Sequence, residues 1–350
     1  MPPLDGLRAL KGGKGGAGDQ SDVQLFGYAR QALAAGMRNL RGGSLLVPAF
    51  ICDTAVDVLP PLGFPVRFYP VNDDLTPDWD WLDANRRPDD TALLLVHYFG
   101  FANDLNRAIE FCRYASMSLV EDCAHSFLSQ HEGQPLGSTG AFGIFSYRKI
   151  LPLRTGAGYY SAGGLEVPEP LPNRSNSNTF VFRQILKWAL FKSGSAIMRR
   201  QFAGALSDEG RVERVTSAAI DPFSRRLMSR LAPRVTQIRE RRRQNYEGFL
   251  IALRGARGIS FMRPELEIGD CPWAFPIRVQ KRDELLEVLL AEGIGAWAWP
   301  VLPDILPQQS FVNEVRMARE SLLLPVHQDL QRYHIEFMAD TVLAWGVANG

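Results

Sequence analysis

The first half of the chain alternates short unbroken apolar runs with stretches whose apolar residues recur every three or four positions. The runs are Ser44–Phe50 (SLLVPAF), Pro65–Val71, Leu93–Tyr98 (LLLVHY), Leu119–Glu121 and Ala141–Tyr147. Runs of this length without polar alternation read as strands covered on both faces, as in a parallel sheet. Gln24–Leu40, closed by Gly42-Gly43, together with Asp53–Leu59 and Asn103–Ala115, has helical spacing. Asn72–Trp81, with Pro77, is expected to be a loop. Strand and helix in this order predict an α/β fold on a mainly parallel sheet.

After Gly164 the regularity loosens. Glu166–Asn178 reads as loop, and Phe180–Phe202 is amphipathic, basic and aromatic. Such a face lies on the protein's own core, on a second subunit or on a membrane surface. Arg234–Leu253 reads as a long helix carrying Arg239-Glu240-Arg241-Arg242-Arg243. We read that run as a solvated or intersubunit face, since no aromatic residues interleave with it as a base-stacking surface needs. Further on, Ala274–Val279 reads as a strand and Asp283–Glu292 as a helix with Asp283 at its N-cap and Gly293 as its stop. Ile294–Trp299 is expected as another strand. Trp273, Trp297 and Trp299 could line a cleft or fill a core. The pattern divides the chain into a Gly- and Lys-rich arm over 1–23, a large α/β domain over 24–245 and a smaller C-terminal α+β domain over 246–350.

Composition narrows the partners. The chain has 350 residues with 39 basic and 38 acidic side chains, a net charge of +1. That balance argues against nucleic acid or an anionic membrane as the main partner. The four cysteines, Cys52, Cys112, Cys123 and Cys271, have no metal-ligand spacing and imply no disulfide framework. A reducing cytoplasm is the expected location. No apolar run reaches the length of a membrane span, and Lys11 and Lys14 are not followed by the apolar stretch of a signal peptide.

The chemistry concentrates between Met117 and Gly158. One apolar strand runs into Asp122, with His125 three residues on; a later one is followed by Lys149 and Thr155-Gly156-Ala157-Gly158. Two such strands can present an acid and an amine at one edge of a parallel sheet, where ligands of open α/β sheets bind. Singly, each residue has an ordinary reading as a helix cap or a solvated lysine. Together they suit pyridoxal phosphate (PLP), whose aldehyde takes a lysine amine and whose ring nitrogen takes a carboxylate.

The sequences EDCAH, GSTGAFGIFSYRK and TGAG resemble the motifs of the DegT/DnrJ/EryC1/StrS family, PLP-dependent sugar aminotransferases of fold type I. The resemblance runs from about Gln24 to Leu330. It implies a fold type I transferase with Lys149 as the Schiff-base lysine, Asp122 facing the pyridine nitrogen, His125 on the phenolic oxygen and Ser146 on the phosphate. The family's serine-to-lysine step is five; here it is three. The family's G-[TS] phosphate turn aligns with Ala29 and Arg30. Arg30 could add charge to the phosphate site or be an exposed helix residue. The aromatic residue that stacks on the ring in the family aligns with Cys52. His97, in a V-H-x-x-G-like run, reads as a satisfied buried histidine, and His327, in an L-P-V-H turn, as structural. Ser224 and Arg225 are candidates for reaching a partner subunit's site.

The resemblance further implies transfer of an amino group, with glutamate as the expected donor, to a keto group of a nucleotide-activated sugar, in a homodimer with shared sites. Family members that remove oxygen from sugars carry histidine in place of the lysine, so Lys149 favours transamination. The alternative is a fold type I relic that binds cofactor or a partner without turnover, suggested by Ala29, Arg30 and Cys52.

Overall fold

The computed structural model describes residues 23–40, 42–167, 169–173 and 218–349. The expected arm, apart from Val23, and the amphipathic segment Phe180–Phe202 lie outside the described residues.

The main sheet has seven strands: β1 (Gln24–Phe26), β2 (Ser44–Pro48), β3 (Val66–Tyr69), β4 (Asp90–Val96), β5 (Ser118–Cys123), β8 (Phe142–Ser146) and β9 (Ala157–Tyr160). A small hairpin between β5 and β8 contains β6 (Gln130–His131) and β7 (Gln134–Pro135). The order is β1-β9-β8-β5-β4-β2-β3. Strands β3, β2, β4, β5 and β8 are parallel, and β9 and β1 close one side antiparallel. Every residue of β2 and β8 is buried, which is why these segments carry unbroken apolar runs rather than alternating ones.

Several elements differ from the sequence pattern. Gln24–Phe26 is a strand rather than the first turn of a helix. It pairs with β9, Leu25 opposite Gly158, and the helix begins only at Ala29. The apolar spacing of QLF fits either state; a sheet edge needing a partner decides between them. The expected loop 72–81 gives way at its end to the helix Trp79–Asn85, capped by Asp78, whose Oδ1 accepts the Trp81 N–H at 2.9 Å. Lys281 holds the N-cap position expected for Asp283, which lies in the first turn of the helix Arg282–Ala291.

A second, antiparallel sheet follows, with β10 (Ile259–Phe261), β11 (Ala274–Val279), β12 (Trp297–Ala298) and β13 (Ser321–Pro325) in the order β10-β11-β13-β12. The strand expected over Ile294–Trp299 shrinks to Trp297–Ala298, near its C-terminal end. The helix Val235–Ala252 runs without interruption through the expected boundary at 245/246. Among the described residues all four cysteines are free, and no helix is long and apolar enough to cross a membrane.

The two sheets meet along a backbone seam. Trp273 N–H donates to Phe99 O at 2.7 Å, Cys271 N–H to Gly100 O at 3.2 Å, and Gln130 N–H to Gly269 O at 2.8 Å. Gly100 has φ +101°, and a Cβ there would stand 2.1 Å from the Cys271 carbonyl oxygen. Gly100→Ala therefore meets both left-handed strain and a backbone clash that no rotamer relieves. We expect it to cost about 3 kcal/mol or more, read as a lower midpoint in urea unfolding.

Candidate active site

The register of the parallel strands assembles the site. Val96 of β4 lies opposite Asp122 of β5, which lies opposite Ile144 of β8. The C-terminal ends of three neighbouring strands thus share one edge, and Ser146 and Lys149 follow on the third. One cavity there is lined by Asp122, His125, Ser146 and Lys149, with Ala29, Arg30 and Cys52 from preceding elements. The structure therefore brings every site residue expected from the sequence to one place. Ser224 and Arg225 are not among the lining residues. Ser224 is buried, and its Oγ accepts the N–H groups of Arg154 and Thr155 at 3.1 and 3.2 Å; Arg225 is exposed.

Lys149 closes a short 3-10 turn, Tyr147–Lys149. Its Nζ lies 4.6 Å from the centroid of the Trp273 ring. The residue five steps beyond Ser146, where the family's lysine stands, is Leu151, which is only 1% exposed and not among the cavity's lining residues. The turn, closed by Leu151 N–H donating to Tyr147 O at 2.7 Å, carries Lys149 into the cavity instead.

Asp122 is buried, and its Oδ1 accepts the Ala124 N–H at 2.9 Å. Burial pushes its carboxyl pKa above the usual range, against the opposing pull of that N–H, Lys149 and His97. His125 lies at 4.0 Å from Trp273, stacked at 25°, with Trp299 edge-on at 5.0 Å. Burial, helped by the charge of Lys149, holds its pKa well below the usual histidine value, so the ring is neutral at pH 7. Its Nδ1 accepts the Phe99 N–H at 3.3 Å, so Nε2 carries the proton and is a donor. Cys52 lines the cavity, and burial raises its thiol pKa, partly opposed by Lys149.

Of the two readings the sequence left open for Trp299, cleft lining or core, the structure shows it lining the cavity, and among the lining residues that the sequence reading did not assign are Tyr28 and Arg148. Arg30 and Arg148 each place a guanidinium over the Tyr28 ring, 4.9 Å from its centroid. Tyr28 is the N-cap of the helix Ala29–Met37. Two cations at a helix N-terminus next to Ser146 make a surface for an anion. The signal was present in SYRK, but nothing in the spacing says that Arg148 turns toward Arg30. Trp299 directly follows β12 of the second sheet, some 150 residues beyond Lys149 in sequence, so no local pattern could choose between cleft and core for it.

Beneath the site Glu121 acts as a hub. Its Oε1 accepts the N–H groups of Thr139 and Gly140, and its Oε2 accepts that of Gly137, all at 2.8 Å. His97 Nδ1 accepts the Asn103 N–H, so its Nε2 is the donor to Glu121 Oε2 at 3.2 Å. His97 is a satisfied buried histidine. Ligand atoms of His97, Glu121 and Cys123 lie within 4.8 Å of one another, but the carboxylate is already committed to four donors. It ties the glycine turn to β5 rather than offering lone pairs to a metal.

The helical arginine run is solvated only in part: Glu240 is exposed and Arg239, Arg241 and Arg243 are half-buried. Arg242 is 2% exposed, and Arg239 and Arg243 donate to carbonyls of the 267–270 segment. The guanidiniums bind backbone oxygens of a loop distant in sequence, which helical periodicity does not reveal. Asn245, one turn on from Arg241, donates to His327 O at 2.8 Å and so seats the L-P-V-H turn.

The donor set suits PLP, with an amine, a buried acid, a neutral histidine donor and a basic helix N-terminus. The enclosed space is about 70 Å³, well below the 300 Å³ or more typical of a ligand pocket.

Residues 29–159 match the model of the DegT/DnrJ/EryC1/StrS aminotransferase family. The L-glutamine:2-deoxy-scyllo-inosose aminotransferase of Streptomyces kanamyceticus is 33% identical over 98 residues, covering 27% of this chain and 23% of the relative. A longer match is to the dTDP-3-amino-3,4,6-trideoxy-alpha-D-glucose transaminase of Streptomyces venezuelae, 25% identical over 292 residues, 80% of this chain and 70% of that one. Among solved structures, Spr1654 of Streptococcus pneumoniae in its PLP form superposes with a TM-score of 0.74 over 99% of this chain and 92% of its own, at 16% identity. That likeness speaks to the fold alone, a fold type I large domain with a smaller C-terminal part. The part of the chain that is similar to the DegT/DnrJ/EryC1/StrS aminotransferase family, residues 29–159, contains every residue of the expected site, and the fold is shared with Spr1654 over nearly the whole chain.

Proposed function

We propose that this protein is a PLP-dependent aminotransferase that passes an amino group from an amino-acid donor, with glutamate first and glutamine second, to a keto group of a nucleotide-activated sugar. The convergence of Lys149, Asp122, His125 and Ser146 on one cavity carries the reading. Relatives named for nucleotide-sugar substrates support the acceptor class, and relatives named for L-glutamine support the second donor. We further propose that the protein works as a cytoplasmic homodimer with shared sites, divided at about residue 245 into a large and a small domain.

Bound PLP supplies an aldehyde for covalent attachment and a ring that withdraws electrons from the donor's α-carbon. The roles of the chain's own residues follow from their surroundings. Lys149 offers the amine for attachment; once free, it takes the proton from the donor's α-carbon, since it stands in the same cavity. Asp122, desolvated and bearing a raised pKa, gains most from a cationic N–H partner such as the protonated ring nitrogen. His125 Nε2–H donates to the ring hydroxyl oxygen without adding a charge. Ser146, the backbone at Ala29 and the guanidinium of Arg30 hold the phosphate.

Ala29 and Arg30 in the phosphate turn and Cys52 beside them favour one second reading, a protein that binds a ligand there without turnover. Incubation with PLP followed by glutamate or glutamine separates the two. The aminotransferase reading expects a visible absorption band on adding PLP that is lost on adding at least one donor. A stable band with either donor supports binding without turnover; no band at all overturns the PLP assignment.

A further inference from the structure

Arg242 is a buried cation with no role in the proposed chemistry. It projects from the helix Val235–Ala252 and is 2% exposed. Among the described residues no carboxylate forms a salt bridge with it, and burial lowers its pKa to about 10. Its donors go to neutral oxygens on separate segments. Nη2 bonds the Ile150 carbonyl at 3.3 Å, and Nη1 bonds the Pro272 and Trp273 carbonyls at 3.2 and 3.1 Å. Nε bonds Gln328 Oε1 at 2.9 Å, and Gln328 Nε2 returns to the same Ile150 carbonyl at 3.3 Å.

Two of these segments carry side chains that meet in the cavity region. Ile150 follows Lys149 directly, and Trp273 is the ring on which the Lys149 ammonium lies. A guanidinium is a planar fork of five donors, and it can address several carbonyls at fixed mutual angles. A lysine's compact ammonium cannot span the same set. We infer that Arg242 is a positioning residue for Lys149. It fastens the turn that presents the amine to the segment that presents Trp273, with Gln328 from the C-terminal sheet region as its second clamp. The small sheet would thereby bear on the orientation of the amine without touching it. The functional meaning rests on the proposed role of Lys149; the mechanical claim does not.

The test uses the full-length protein without cofactor. It is labelled with an amine-acylating reagent, and the rate at Lys149 is read by peptide mass spectrometry against exposed Lys281 as an internal standard. Arg242→Met is expected to raise the Lys149 rate relative to Lys281 by at least about fivefold, the factor that losing one ordinary hydrogen bond would give. Arg242→Lys should lie between it and the wild type, and Gln328→Ala should move in the same direction by less. Leu289→Ala, a core truncation in the helix Arg282–Ala291, should lower thermal stability without changing the ratio. An unchanged ratio in folded Arg242→Met, or an equal rise in Leu289→Ala, overturns the inference. If Arg242→Met does not fold, an unchanged ratio in Gln328→Ala overturns it instead. A wild type that never takes PLP but shows these ratios refutes the proposed function and leaves the positioning role standing.

Discussion

Lys149→Ala should abolish covalent capture of PLP and lower transamination by roughly a thousandfold or more, since it removes both the attachment point and the base. Stability should fall modestly, because the variant loses the cation lying on the Trp273 ring, worth about 0.5–2 kcal/mol, and the positive charge that faces buried Asp122. Absorption spectra with PLP, run beside a thermal melt, check both halves. A variant that still develops the wild-type band would mean that another amine holds the cofactor. The same measurement on Leu151→Ala should show an unchanged band and a lower melting temperature, because Leu151 is core and does not line the cavity.

Glu121→Ala should have the largest effect on stability. It would orphan the N–H groups of Gly137, Thr139 and Gly140 and the His97 Nε2 donor. An unmet buried donor costs about 1–3 kcal/mol, and breaking a buried charged network about 3–5. We expect a loss of about 4 kcal/mol. Glu121→Gln keeps the shape but turns one acceptor oxygen into a donor facing donors, and should lose about half as much.

The sign of the pH effect follows from the same contacts. Burial pushes the Glu121 pKa up, but His97 and the backbone N–H groups outweigh it, and the net pKa is lowered. The unfolded carboxyl titrates near 4.3. The stabilisation is therefore complete above that pH and is lost as pH falls through the lower folded value. The gap between wild type and Glu121→Gln in urea melts should be full at pH 7 and narrow below about pH 4.3. A gap independent of pH would mean that the carboxylate's charge is not what holds the turn.

Much of this was legible in the residues. SLLVP, DTALLLV and FGIFS are largely apolar on both faces because their strands are covered on both faces, so the parallel sheet could be read from local pattern. EDCAH and SYRK placed an acid and an amine after neighbouring strands, which was enough to choose a sheet edge. QLF misled, because three apolar residues do not distinguish a helical first turn from an edge strand. The arginine run misled for a different reason. A charged residue on a helix looks solvated unless one knows which carbonyls will approach it, and those of Ile150 and Trp273 lie 92 and 31 residues away in sequence.

The sequence by itself determined the layered α/β architecture and the chemical inventory of the site. Burial of apolar strands and the handing of side chains to strand ends are local in period and composition. Only the tertiary structure decided how the three-residue step from Ser146 turns Lys149 into the cavity while Leu151 goes to the core. It alone brought Arg148 beside Arg30 and Trp299 over the site, and it sank Arg242 between two sheets. Each of those outcomes depends on which distant backbone groups need partners once the segments meet, and hydrogen-bond demand between distant segments leaves no periodic trace in the chain.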